Sequence, residues 1–317
     1  MSAFARAQLT PFALDVAQGF ALCGQRKLPP RWFYDDLGSA LFEAITYLPE
    51  YGLTRADERL LREHASDLAF LTHPISAVAE LGSGSGRKTR FVLQAASDGR
   101  RQLVYRPIDV SVSALSLCEK ELGDISDVRP VREDWLHGLE QVARERNGGP
   151  LLLLFLGSSV GNIDRESIPD FLKSIRALLL PGDFFLLGAD LVKDTATMIS
   201  AYNDSLGVTA AFNLNILRRI NQELSANFDL RAFEHDARWN ARDRRIEMHL
   251  VCCREATVRV QALDTDFVFR AGETIWTESS HKFTGQELSD YARAAGFDPV
   301  TSWTDAEWPF VEALWRV

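Results

Sequence analysis

The chain has 317 residues, 46% of them hydrophobic and 25% charged, with a formal net charge of -9. This composition excludes a disordered chain, and the length exceeds one typical domain, which predicts a second module. The acidic balance opposes a nucleic-acid partner, because phosphate recognition needs a basic face, and points instead to a small-molecule substrate.

The N-terminal stretch MSAFARAQLTPFALDVAQGF carries Asp15 inside its apolar part and has no charged n-region, clean apolar run and cleavage site in sequence, so export is not expected. The longest strongly apolar run, residues 151–156, is far shorter than the roughly 20 residues that span a bilayer, and no membrane segment is predicted. Cysteines at 23, 118, 252 and 253 form no CxxC pair, and histidines at 64, 73, 137, 235, 249 and 281 show no ligand-like spacing. Neither a disulfide framework nor a metal site is expected, and the histidines read as surface or locally bonded. A reducing cytoplasm and a monomer are the corresponding expectations.

Short strands are predicted at residues 76–81, 103–108, 127–131, 151–156 and 183–187, with amphipathic helical segments between them. That alternation demands a parallel, doubly wound sheet. The run LLLLFL, apolar on both alternating faces, predicts a central strand covered by helices on both sides. After Asp190 the rhythm changes to helical segments up to about Phe228 and then to RRIEMHLVCCREATVRVQAL, which reads as antiparallel strands. Helical period returns over residues 284–295, with Thr284 as N-cap, Glu287 three residues on and Gly296 as the stop. Two strand-like runs, 298–304 and 309–317, close the chain. A sheet that ends in a helix and two closely spaced strands has the ordering of the class I methyltransferase fold, an α/β, Rossmann-like sheet whose last strand is antiparallel.

The stretch VAELGSGSGRKTRF carries glycines at 82, 84 and 86. A dinucleotide loop needs G-x-G-x-x-G, and here Arg87 stands where its third glycine belongs. Glu80, Gly82, Gly84 and Gly86 instead satisfy E-x-G-x-G-x-G, a loop whose backbone approaches the methionine and ribose parts of S-adenosylmethionine with no pyrophosphate to hold. Asp109 ends the second strand, 23 residues after Gly86, where a carboxylate can accept ribose hydroxyls, although it could equally serve the helix start beside Ser111. Asp134 and Trp135 follow the third strand, where a carboxylate and an aromatic face suit adenine; a turn aspartate and a core tryptophan are the alternative.

The segment WFYDDLGSALFEAITYLPEYGLTRADE, followed in order by ELGSGSGRKT, PIDVS, LGSSVGNI, GADLVKD, AYNDSLGVTAAFN, IEMHL and TESSHKF, resembles the histidine Nα-methyltransferase family of ergothioneine biosynthesis from about residue 30 to the C-terminus. The resemblance implies trimethylation of the α-amino group of L-histidine to hercynine, with S-adenosyl-L-methionine as cofactor. It also implies a substrate-binding domain made of residues 1–55 and an α+β insertion at 193–282, around a core made of 56–192 and 283–317. Carried over position by position, it assigns Gly82, Lys88, Asp109, Asp134 and Trp135 to the cofactor, and Tyr51, Asn162 and Tyr202 to the substrate carboxylate. Glu278 and Ser280 would hold the imidazole with Met248 packed nearby, and Tyr34 and Thr209 would stand by the reacting amine.

These residue types suit the chemistry. An in-line displacement at a sulfonium methyl depends mainly on holding a neutral amine about 3–3.5 Å from the methyl carbon. Neutral donors bind a carboxylate without adding charge, and a buried Glu278 would penalise amino acids that offer it no N–H. Two alternatives remain at this stage: a related methyltransferase acting on another amino acid such as tryptophan, and a non-catalytic protein that binds S-adenosylmethionine or an amino acid.

Overall fold

Thr10 caps the first helix of the computed structural model, which describes residues 9–97, 103–146 and 148–317. Its hydroxyl accepts the Ala13 N–H at 3.2 Å, and Pro11 takes the first helical position, where a missing N–H costs nothing. The chain then runs α1 (Pro11–Ala21), β1 (Arg26–Lys27), α2 (Asp36–Thr46), α3 (Gly52–Thr72), β2 (Ala77–Leu81), α4 (Thr89–Ala96), β3 (Leu103–Ile108), α5 (Val112–Leu122), β4 (Ser126–Val128), α6 (Trp135–Glu145), β5 (Leu151–Phe155), α7 (Ile168–Leu178) and β6 (Phe184–Asp190). It continues through α8 (Thr195–Ser200), α9 (Val208–Glu223), β7 (Phe233–Asn240), β8 (Arg245–Cys252), β9 (Ala256–Val260), β10 (Thr265–Phe269), β11 (Thr274–His281), α10 (Gly285–Ala295), β12 (Asp298–Thr304) and β13 (Phe310–Arg316). Contacts divide these elements into two units, one of Tyr51–Asp194, Arg242–Arg245 and Ser280–Val317, the other of the residues up to Glu50 with Thr195–Ala241 and Ile246–Ser279. Among the described residues no helix is long and apolar enough to cross a membrane.

The first unit is built on a seven-stranded sheet in the order β12-β13-β6-β5-β2-β3-β4. β6, β5, β2, β3 and β4 run parallel, and β13 lies antiparallel to both β6 and β12. The chain leaves β2 toward β3 and β4, then returns to start β5 on the other side of β2, so the order reverses between β2 and β5 and ligands of such sheets bind beyond the carboxyl ends there. All five residues of β5 are buried. Leu151, Leu153 and Phe155 join the core with Leu139, Leu172, Ile175 and Leu288 from α6, α7 and α10; Leu152 and Leu154 join Leu61, Leu68, Val92, Leu93 and Leu122 from α3, α4 and α5. The two-faced apolar run is therefore a consequence of cover on both sides, and each leucine buried this way contributes about 1.5–3 kcal/mol.

Helix α10 begins as the sequence predicts. Thr284 Oγ1 accepts the Glu287 N–H at 3.2 Å, the Thr284 N–H donates to the Glu287 carboxylate at 3.4 Å, and Gly296 ends the helix in the left-handed region. Two strands of this sheet differ from expectation by more than one residue at an end. β4 stops at Val128 because Pro130 has no N–H for a ladder, while Val131 still donates to Pro107 at 2.8 Å. β6 extends to Asp190 because its small residues Gly188 and Ala189 remain paired with β13.

The second unit contains the four-stranded sheet β1-β11-β8-β7, in which β1 and β11 are parallel, and the antiparallel ribbon of β9 and β10. Phe20 of α1 packs its ring edge-on against Phe228, Phe267 and Phe269, and Phe33 stacks on Phe212 of α9 with centroids 4.5 Å apart.

Candidate functional site

Beyond the end of β2 the backbone turns through Gly82, Gly84 and Gly86 at φ of +67°, +54° and +69°, a region in which other residues are strained. The three glycines have different tasks. A Cβ on Gly86 would stand 2.6 Å from Cys118 Sγ and 2.7 Å from Leu122 Cδ1, so its bareness lets the loop pack on α5. A Cβ on Gly82 would meet Trp135 Nε1 at 3.2 Å, whereas one on Gly84 would meet nothing within 4 Å. The loop thus borders open space at Gly84, whose N–H donates to Asp109 Oδ2 at 3.1 Å. The other Asp109 oxygen accepts from Ser111 at 2.9 Å, and burial raises its pKa against those backbone bonds.

Asp134 caps α6, accepting the His137 N–H at 3.1 Å, and its other oxygen lies 2.6 Å from His137 Nδ1. Although partial burial opposes it, His137 holds this carboxylate below its ordinary pKa. Trp135 packs edge-on against Phe155 and Phe171, with centroids 4.9 and 5.9 Å away. Both residues therefore carry structural duties of their own in addition to any toward adenine.

Lys88 stands just before α4, and its ammonium pairs with Asp57, which also accepts the Gly157 N–H at 2.9 Å. Burial works against the charge on Lys88, but Asp57 prevails and raises its pKa. Beneath the loop, Glu80 is buried and accepts from Thr89 at 2.6 Å and Tyr105 at 2.5 Å, and burial pushes its pKa up to about 7. Burial and then the Asp57 carboxylate push Glu312 well above the usual range.

In the sheet unit, Tyr51 is buried at the start of α3, and Asn162 closes the 3-10 turn Ser159–Asn162 that follows β5. A Cβ on the neighbouring Gly161 would come within 2.9 Å of the His281 carbonyl, so this turn packs against the end of β11, where Ser280 lies buried and accepts from Lys282 Nζ at 3.0 Å. The structure brings Asn162 and Ser280 into one neighbourhood. Tyr51 and Ser280 fall in the same unit as the sheet: α3 covers the sheet, and Lys282, two residues after Ser280, is anchored to Asp190 of β6.

In the other unit a buried hub joins most of the remaining candidates. Asn213 of α9, fully buried, has its Oδ1 2.7 Å from the Thr277 hydroxyl, while its Nδ2 donates to the His249 carbonyl at 3.0 Å and reaches His235 Nδ1 at 2.8 Å. The Thr277 hydroxyl also lies 3.0 Å from the Met248 carbonyl, and His235 Nε2 is 2.7 Å from the Tyr202 carbonyl. Thr277 precedes Glu278, so the hub ties Tyr202, Met248 and Glu278 to α9. Thr209 lies one helical turn before Asn213, and its N–H donates to Asp204 at 2.7 Å; burial opposes the charge on Asp204, but these backbone donors hold its pKa low. Tyr34 packs edge-on against Phe42 and Phe212, 5.7 and 5.9 Å away.

The hub and Lys282 escaped the sequence reasoning, although Asn213 ends the AYNDSLGVTAAFN segment and sits at i+4 from Thr209. The expectation of surface or locally bonded histidines is corrected for His235 and His281: half-buried His235 reaches Asn213 and the Tyr202 carbonyl, and the Nδ1 of buried His281 lies 3.3 Å from the Asp243 carbonyl. His249 is buried but locally bonded, its Nε2 3.2 Å from Glu247. Burial lowers the pKa of all three, that of His281 to about 4.

A loop that offers bare backbone and one carboxylate beside it, with nothing shaped for a pyrophosphate, fits S-adenosylmethionine, and with this strand order the chain has the plan of a class I S-adenosylmethionine-dependent methyltransferase. Residues 12–317 match the family described as histidine-specific methyltransferase, SAM-dependent, and the chain belongs to that family. It is 42% identical over 284 residues to a histidine N-alpha-methyltransferase of Mycobacterium tuberculosis (88% of this chain, 87% of the relative), and 40% identical over 293 residues to the Mycolicibacterium smegmatis protein of the same name (92% and 90%). A third relative, ergothioneine biosynthesis protein 1 of Neurospora crassa, is 30% identical over 298 residues, which cover 89% of this chain and 32% of that protein.

Proposed function

We propose that this chain methylates the α-amino nitrogen of L-histidine three times to give hercynine, the first step of ergothioneine biosynthesis. The match to the histidine-specific family across residues 12–317 carries this reading. S-adenosylmethionine supplies an electrophilic methyl group, and Gly82, Lys88, Asp109, Asp134 and Trp135 would hold it. The unit containing α9 and β11 would serve as the substrate-binding domain.

In this reading Tyr51, Asn162 and Tyr202 donate to the substrate carboxylate, and being neutral they leave the nearby amine free to lose its proton. Glu278 and Ser280 orient the imidazole against Met248, and Tyr34 and Thr209 stand at the nitrogen. Catalysis then comes from placing a neutral amine in attack geometry, which is worth several kcal/mol of barrier (~7–11 in well-oriented cases). After each transfer the amine must shed a proton, for which water or Tyr34 is the acceptor. The enzyme works as a monomer in the cytoplasm, and a net charge of -9 agrees with the absence of a nucleic-acid partner.

The test is mass spectrometry of histidine incubated with the protein and S-adenosylmethionine. Gains of one, two and three methyl groups on histidine are expected. Methylation of tryptophan in preference to histidine, or cofactor binding with no mass gain on any amino acid, would refute the assignment.

A further inference from the structure

Ser280 and Lys282 are both buried, and Lys282 brings an ammonium to Ser280 Oγ at 3.0 Å and to Asp190 at 2.9 Å. Asp190 serves a second cation, since Lys193 donates to its Oδ1 at 2.6 Å, and Trp308 Nε1 donates to the same oxygen at 2.9 Å. Arg165 donates to the Lys282 carbonyl at 2.9 Å and is itself paired with Glu287. Lys282 and Lys193 thus share the single carboxylate of Asp190. Burial and the neighbouring Lys282, only partly offset by Asp190, lower the Lys193 pKa to about 8.

An ammonium has three donors and no acceptor. Toward Lys282 the serine oxygen can only accept, which polarises its O–H as a donor to whatever else it faces. A cation this close also disfavours a second cation on that group.

We propose that Lys282 is a positioning residue that makes Ser280 a hydrogen-bond donor to an unprotonated ring nitrogen, so that the site takes the substrate's imidazole as a neutral ring. The proposal rests on the reading that Ser280 contacts the imidazole, and deepens it. Glu278, two residues earlier on the same strand, takes the ring N–H. A carboxylate alone would accept from a neutral ring or, better, from an imidazolium. The serine and lysine pair supplies the discrimination that Glu278 lacks, and one site then requires a ring with one N–H and one lone pair.

The direct test needs no substitution. Histidine labelled with 15N in the ring is bound to the full chain with S-adenosylhomocysteine at about pH 5.5, where the free ring is mostly protonated. One protonated and one unprotonated nitrogen are expected in the bound state; two protonated nitrogens would overturn the proposal. In kinetics, Lys282→Met should raise KM for histidine roughly tenfold with a smaller change in kcat, and the Ser280→Ala, Lys282→Met double variant should be no worse than the weaker single variant. Additive losses sink the role of Lys282 while leaving Ser280 at the imidazole. Unchanged histidine KM in Ser280→Ala, by contrast, removes the underlying reading. Should Lys282→Met fail to fold, the spectrum of the unaltered protein still decides.

Discussion

The Nε2–H of His235 donates to the backbone carbonyl of Tyr202 at 2.7 Å. A carbonyl only accepts, so this nitrogen carries the proton and the neutral ring presents Nδ1 to the Asn213 amide at 2.8 Å. Burial, which lowers the pKa of His235, keeps it in that form. Replacing it by leucine breaks both bonds and frees the Tyr202 backbone. His235→Leu should lose about 1–3 kcal/mol of stability and raise KM for histidine with unchanged affinity for S-adenosylmethionine, as measured by chemical unfolding, kinetics and calorimetric titration. Equal losses in both affinities would show a general loosening of the fold instead.

Asp109 orders the glycine loop through the Gly84 N–H and would accept the ribose hydroxyls. Asp109→Ala should weaken S-adenosylmethionine binding by roughly 1.5–3 kcal/mol, the scale of hydrogen bonds to a charged group. Calorimetric titration reads this directly. Unaltered affinity in a folded variant removes Asp109 from the cofactor site.

Glu80 and His281 pull the pH dependence of stability in opposite directions. The Glu80 pKa rises in the fold from 4.5 to about 7, so the folded state holds the extra proton and stability falls as pH climbs through that window. His281 drops from 6.5 to about 4, so the unfolded state holds the extra proton and stability rises with pH from about 4 to 6.5. Each displacement corresponds to about 3 kcal/mol, and across their overlap the two largely cancel. Glu80→Gln keeps an oxygen for Thr89 and Tyr105 but cannot ionise. Its stability relative to the parent should therefore increase by about 3 kcal/mol between pH 4.5 and 7.5. Parallel profiles would mean that Glu80 ionises as an ordinary glutamate.

Glu278 is buried at 9% exposure on β11 and would read the imidazole N–H. Glu278→Ala should cost histidine at least ~10²-fold in kcat/KM, about 2.7 kcal/mol, while amino acids with apolar rings lose far less or gain. Competition between histidine, phenylalanine and tryptophan on both proteins gives the ratio. An equal fall for histidine and tryptophan assigns Glu278 to the fold.

What could be read from the sequence was local. The all-apolar β5, the Thr284 and Glu287 capping box and the spacing of the glycine loop each declare themselves within a few residues. The separate task of Gly86 did not, because its clash is with Cys118 and Leu122 on another helix. The hub around Asn213 joins residues 22, 36 and 64 positions apart, and a single sequence records no pairing at such distances. His235 and His281 escaped for the same reason, since their ring partners lie 22 to 38 residues away. Candidate contacts rest on resemblance to motifs, while the groups that hold those residues in place come together only in the fold.

β1 pairs in parallel with β11 across most of the chain, and beside that pairing Gln25 reaches Thr274 over a separation of 249 residues. Closing a loop of that length costs about 3 kcal/mol more than closing a ten-residue turn, a cost that the two-residue β1 cannot meet alone. On the ribosome, α1 and β1 emerge well before β11, and β1 has no strand to join until β11 has been made. β1 therefore finds its place late, and a nascent chain halted before residue 274 would leave Arg26 and Lys27 without the strand they pair with, although the aromatic partners of Phe20 would already have been made.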